Sequence, residues 1–283
     1  THLQDATPIK LGQEFSGYAG QIERSISRLE NAAKGLCEIA LGGTAVGTGV
    51  NTHHEFALRV CSRLSEDIGI QIYETTNHFQ AQSSLDAIVE CSGTLATISV
   101  SLMKISNDLR WLGSGPRAGI GEIEIPEVQP GSSIMPGKVN PVIPESVCQV
   151  AAQVLGNNIT IETAGQSGNF EINVMMPVAA HNLLESIEIL ARSSLNLTDR
   201  CISGLMATTK GPESVHGGLA IVTTLVPYIG YDQAADIAKE ARETGENIRS
   251  VAERKTDLSP AKLDIILNPE SMTDPRLDTR YLR

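Results

Sequence analysis

From Phe79 to Leu112 the sequence contains no proline, and Leu95, Ile98, Leu102, Ile105, Leu109 and Leu112 follow one another at alternating spacings of three and four. Residues so spaced share one helix face, so the pattern is the seam of an α-helix packed lengthwise along parallel or antiparallel neighbours. At 1.5 Å per residue the segment predicts a helix of roughly 50 Å. A domain of ordinary diameter cannot cover all sides of so long an apolar rod. Other helices or other subunits must, with each fully buried Leu or Ile contributing about 1.5–3 kcal/mol against chain entropy.

Composition agrees with an all-α fold. Of 283 residues, 41% are hydrophobic and only 4% aromatic, with Ala, Leu, Ile and Glu abundant. The length suffices for a sizeable core in one large or two smaller domains. A net charge of -11 argues against nucleic acid as a partner and leaves room for a local cationic pocket. No run of about eighteen apolar residues is seen, so no membrane span is expected. Cys37, Cys61, Cys91, Cys148 and Cys201 are scattered and form no Cys-x-x-Cys pair, which suggests neither a disulfide framework nor a zinc site and fits a reducing cytoplasm. The opening Thr1-His2-Leu3 has no initiator methionine and no signal pattern, and reads as a cut into a longer protein.

A long amphipathic helix is predicted from Ile9 to Leu41, ending at Gly42-Gly43. A shorter one follows from Glu55 to Glu66, then a mixed stretch to Thr76. His53 and His54 lack partners at ligand spacing and are expected as exposed loop residues, and His78 as a residue capping or packing near a helix start. The glycine-rich 42–49 segment is no phosphate loop, because no Lys follows Gly47 and no apolar strand precedes it. Pro144-Glu145 opens another helix. Gly156 to Gly168 reads as a weak or broken helical region, and Asn169 as the start of a long helix to Leu205, bent if anywhere at Pro177. His181 and Glu185, four apart, suit a structural hydrogen bond better than a metal, for which a pair supplies too few ligands. Composition turns loop-like at Met206, which sets two domains, 1–207 with long helices and 208–283 with short ones at about 215–225, 231–243, 247–253 and 260–267. Arg276 to Arg283 is expected to be a mobile end.

Between the long helices lies Pro130-Gly131-Ser132-Ser133-Ile134-Met135-Pro136-Gly137-Lys138-Val139-Asn140-Pro141. Its prolines and glycines forbid regular structure and define a shaped loop. Lys138 supplies a point charge, Asn140 an amide, Ser132 and Ser133 hydroxyls, a set suited to holding a carboxylate with a small acid or base beside it.

The string GSSIMPGKVNP closely resembles the signature of the fumarase/aspartase superfamily, and Thr1 to Pro8 is similar to the THLQDATP segment of its class II fumarases. The resemblance implies a long-helix bundle with a small C-terminal helical domain, and a homotetramer whose bundled helices share each active site between subunits. It implies a small dicarboxylate substrate, fumarate or malate, reversible hydration as in the citric acid cycle, and no metal or organic cofactor. Ser132 would be the catalytic base. His2, paired with Glu145, would act on water at the opposite face, while Thr1, Ser133, Lys138, Val139 and Asn140 would bind substrate. Gly43, Asn77-His78-Phe79 and GNFEINV at 168–174 look like fumarase. The tail Pro141-Val142-Ile143-Pro144-Glu145 is similar to aspartases and some bacterial fumarases, so aspartate ammonia-lyase is the alternative, with a non-catalytic structural oligomer as another. The family's N-terminal domain and its Ser-Ser-Asn motif are not in this sequence, so these residues alone would form incomplete sites with little or no activity.

Overall fold

The computed structural model describes residues 1–277. Within them helices predominate, joined by loops and two short ladders. In chain order the elements are α1 (Leu11–Gly35), β1 (Glu38–Ile39), α2 (Phe56–Ile68), β2 (Tyr73–Glu74), α3 (His78–Ser83), α4 (Asp86–Leu112), β3 (Ile123–Glu124), α5 (Val142–Gly165), α6 (Met176–Arg200), β4 (Met206–Ala207), α7 (Lys210–Gly217), α8 (Val226–Ile229), α9 (Tyr231–Thr244), α10 (Ile248–Lys255) and α11 (Pro260–Ile266). β1 pairs parallel with β2, and β3 antiparallel with β4. Two compact units result. One gathers Thr1–Gly17, Leu112–Glu124 and the chain from Met206 onward, and the other holds Tyr18–Trp111 and Ile125–Leu205.

The second unit is the long-helix bundle. Its buried residues recur at sevens: Leu95, Leu102 and Leu109 on α4, Val147, Val154 and Ile161 on α5, Leu183, Leu190 and Leu197 on α6. A seven-residue repeat keeps one seam facing a neighbour along the whole helix. Buried serines repeat likewise at Ser92, Ser99 and Ser106, and at Ser186 and Ser193, small enough to let backbones approach. Contacts fix the directions. Tyr18 Oη donates to Asp108 at 3.0 Å while Gly35 lies against Ala87, so α1 and α4 are antiparallel. Ser92 Oγ donates to Asn158 Oδ1 at 2.7 Å and Gly165 lies against Val89, so α4 and α5 are antiparallel. α5 and α6 run antiparallel too, joined where Asn157 Nδ2 donates to Glu185 (2.8 Å) and Ser186 (3.1 Å).

In the other unit the short helices enclose Ile221, Leu225, Ile237, Ala241, Ile248, Val251, Ala252, Leu263 and Ile266. Asn247 and Ser259 cap α10 and α11 by accepting from Ser250 N and Lys262 N. Gln13 Nε2 donates to the Thr273 carbonyl at 2.7 Å, fastening the start of α1 to the last turns of this unit.

Several boundaries differ from the sequence reading. α1 stops at Gly35 rather than Leu41, because the parallel pairing of Glu38 and Ile39 takes over the backbone. The 79–112 segment is two helices. Asn77 caps α3 through Gln80 N, Ser84 is extended, and α4 begins only at Asp86, giving it roughly 40 Å instead of 50. α5 passes Gly156 unbroken to Gly165, since burial of Val154, Asn157 and Ile161 outweighs the propensity cost of a glycine, about 1 kcal/mol. Asn169 and Ile172 exchange backbone hydrogen bonds in a tight turn, so α6 starts at Met176 and Pro177 sits in its first turn, where a missing N–H is harmless. Glu185 bonds Asn157 rather than His181. By length and composition α4 is apolar enough to cross a bilayer, unlike the expectation, but it buries Leu95, Ile98, Leu102, Ile105 and Leu109 within the protein. Of the predicted mobile end, residues 278–283 lie outside the described residues, and Arg276 pairs with Asp274 at 2.5 Å.

Candidate active site

The proline- and glycine-rich segment leaves the ladders and helices and forms a loop closed at its own neck. Ser132 N donates to the Lys138 carbonyl at 2.8 Å, and Lys138 N to the Met135 carbonyl at 3.1 Å. Glycine is needed at the neck: a Cβ on Gly131 would lie 2.9 Å from Lys138 O. Gly137, at φ +81, turns the chain back in the left-handed region. Ile134 is 85% exposed at the tip.

Within this loop Ser132 Oγ accepts hydrogen bonds from the backbone N–H groups of Ile134 and Met135, both at 3.2 Å. Donors aimed at a hydroxyl oxygen favour its ionised form. Lys138 Nζ donates to Asn140 Oδ1 at 2.6 Å, which places a cation and an amide side by side. Ser133 and Val139 are exposed on the same loop. Asn140 leads through Pro141 into α5, whose buried Pro144 anchors the first turn and whose N-terminal amides add positive potential. Glu145, half-buried, stands in that turn, and its carboxylate makes no hydrogen bond or ion pair among the described residues.

Thr1 and His2 belong to the other compact unit and are exposed. His2 and Leu3 both take positive φ, at 55° and 57°, in a turn closed by Gln4 N on the Thr1 carbonyl at 2.9 Å. Consecutive non-glycine residues in this region are uncommon.

Some features near the expected site were invisible in the sequence. The donors to Ser132 are backbone amides, which no side-chain pattern announces. His78 packs as expected at the start of α3, with Nε2 3.0 Å from the Leu41 carbonyl and 3.4 Å from Glu74. Gly43 has a steric reason: a Cβ there would lie 1.9 Å from the buried Gln82 Oε1, so alanine at this position requires Gln82 to move. An open concavity of about 630 Å³ lies between the β3–β4 ladder and α7, lined by Glu124, Thr208, Thr209, Glu213 and His216 among others. It holds none of the expected site residues.

Comparison with known proteins gives the loop its context. Residues 1–156 match a family described as lyase, and residues 221–274 one described as the fumarase C C-terminus. A class II fumarate hydratase of Nitrosomonas europaea is 47% identical over 275 residues, and one of Neisseria meningitidis 48% over 280, covering 97% and 98% of this chain. The chain spans 60% of the length of both curated relatives. Among solved structures, class II fumarase from Schistosoma mansoni superposes with a TM-score of 0.94 at 36% identity, covering 97% of this chain and 61% of that one. The cobalt-bound fumarate lyase:delta crystallin from Brucella melitensis gives 0.93 at 45%, covering 97% and 60%.

Proposed function

Because the chain belongs to the lyase family that its first 156 residues match, we propose that the protein carrying it is a fumarate hydratase, adding water reversibly to fumarate to give malate. The observation that carries the reading is the Ser132 hydroxyl held under two backbone N–H groups beside the Lys138–Asn140 pair. Elimination from malate removes a proton from an unactivated carbon next to a carboxylate, so charge must be stabilised on the carboxylate as the C–H bond breaks. Ser132 takes that proton as its alkoxide, which the Ile134 and Met135 amides favour. Lys138, Asn140 and Ser133 bind the carboxylate that gains charge, with Val139 and Thr1 completing the substrate's surroundings. By the resemblance, His2 hands a proton to the departing hydroxyl and, in reverse, activates water, with Glu145 as its partner in the assembled oligomer.

The rest of the reading follows the relatives. The substrate is a small dicarboxylate, and four copies assemble so that neighbouring subunits complete each site. The reaction is that of the citric acid cycle, in the cytoplasm, a setting that the five free cysteines favour. The separate match at 221–274 supports a small C-terminal domain at 208–283, with 1–207 as the long-helix domain, although the compact units group Thr1–Gly17 and Leu112–Glu124 with the C-terminal segment instead.

The test is an assay of the full-length protein by the loss of fumarate absorbance, with and without ammonium. Conversion to malate in buffer alone is expected. Loss of fumarate only with ammonium would make the enzyme an aspartate ammonia-lyase, and no loss in either would remove the lyase activity.

A further inference from the structure

His53, His54 and Glu55 form a cluster that the hydratase reading does not use. Against the expectation that the two histidines lack partners, one ligand atom from each of the three residues lies within 4.8 Å of the others. The imidazoles stack with centroids 4.4 Å apart and 29° between planes, so both rings are already gathered on one side of the turn that precedes α2. Two internal contacts restrain the set: Glu55 N donates to His53 Nδ1 at 3.2 Å, and Arg59 holds Glu55 Oε2 at 2.5 Å. Each leaves donor capacity open. The second carboxylate oxygen is free of Arg59, and the exposed amide can turn to water when the ring lone pair is taken.

We propose that this turn binds a borderline divalent metal ion, with Zn2+ as the type, through two imidazoles and one carboxylate. Nitrogen and carboxylate donors in this ratio suit zinc and its neighbours in the first transition row better than calcium or magnesium, which take oxygen. Exposure and the positive end of α2 weaken the hold on a cation, which makes the affinity lower than that of a structural zinc site. Arg59 becomes the competitor: its guanidinium and the ion want the same carboxylate.

Calorimetric titration of the full-length protein with Zn2+ tests this, because Arg59 and the histidines pull the affinity in opposite directions. The double variant His53→Ala/His54→Ala is expected to lose about tenfold or more in affinity with an unchanged helical circular dichroism spectrum. Arg59→Gln is expected to bind more tightly than the parent. Co2+ in place of Zn2+ gives a second readout, a visible absorption band that disappears in the double variant. Isotherms unchanged by either substitution would overturn the proposal, whatever the outcome of the fumarate assay.

Discussion

The loop at 130–141 and the helix pair α5–α6 that follows it are held by opposite means. The loop fastens itself by hydrogen bonds within its own few residues, Ser132 N to Lys138 O and the Ile134 and Met135 amides to Ser132 Oγ, and leaves its apolar tip in solvent. The helices bury regular rows of side chains, Val147, Val154 and Ile161 on one and Leu183, Leu190 and Leu197 on the other, with Asn157 bridging to Glu185 and Ser186. Under the proposed function, chemistry is therefore carried where little stability resides, and stability where there is little chemistry. Substitutions should separate the two.

The sharpest separation is expected at Ser132. Ser132→Ala should lower turnover of the full-length enzyme by roughly 10²–10⁴-fold, the range for a general base, while the thermal midpoint stays put. Near-normal turnover would end the base assignment. The bundle gives the mirror image: Leu109→Ala, fully buried on α4, should destabilise by about 2–5 kcal/mol in denaturant titration and leave turnover per folded molecule close to the parent value. Were activity to fall in parallel with no loss of stability, the two regions would be coupled after all.

A smaller effect probes the neck. Gly131→Ala pushes a methyl against Lys138 O and should reduce kcat/KM with little change in the thermal midpoint, because the collision can be relieved by opening the loop. The smallest test is alkaline. Burial pushes the Cys201 thiol, at the end of α6, up to about 11. The unfolded chain releases this proton near pH 8.5–9 and the folded chain only near 11, so the contribution is intact below the lower value and lost as pH rises between the two, at about 1.4 kcal/mol per pKa unit. Cys201→Ala should flatten that limb of the stability curve, and an unaltered slope would assign it to other groups.

Legibility in the sequence divided along the same line. The α4 seam at Leu95–Leu109 was readable because burial on one face leaves a period in the residue types. The separation of α3 from α4 was not, since Ser84 breaks the helix by adopting an extended conformation that its identity permits without announcing. Gly156 and Pro177 misled in the opposite sense: tertiary packing carried α5 through the glycine, and the proline marked a start instead of a bend. At the site, the side chains of Ser132, Lys138 and Asn140 could be picked out by chemistry. The Ile134 and Met135 amides could not, because every residue but proline offers the same N–H.

The neck between Gly131 and Lys138 also bears on what binding must overcome. A segment tied at its base explores fewer arrangements than one tethered only at Pro130 and Pro141, and in simple chain statistics each halving of a free loop removes roughly 0.6 kcal/mol of ordering entropy. Under the proposed function, ligand capture by the loop therefore begins from a partly confined search, and the entropy already surrendered by the folded chain does not have to be supplied again by an arriving anion.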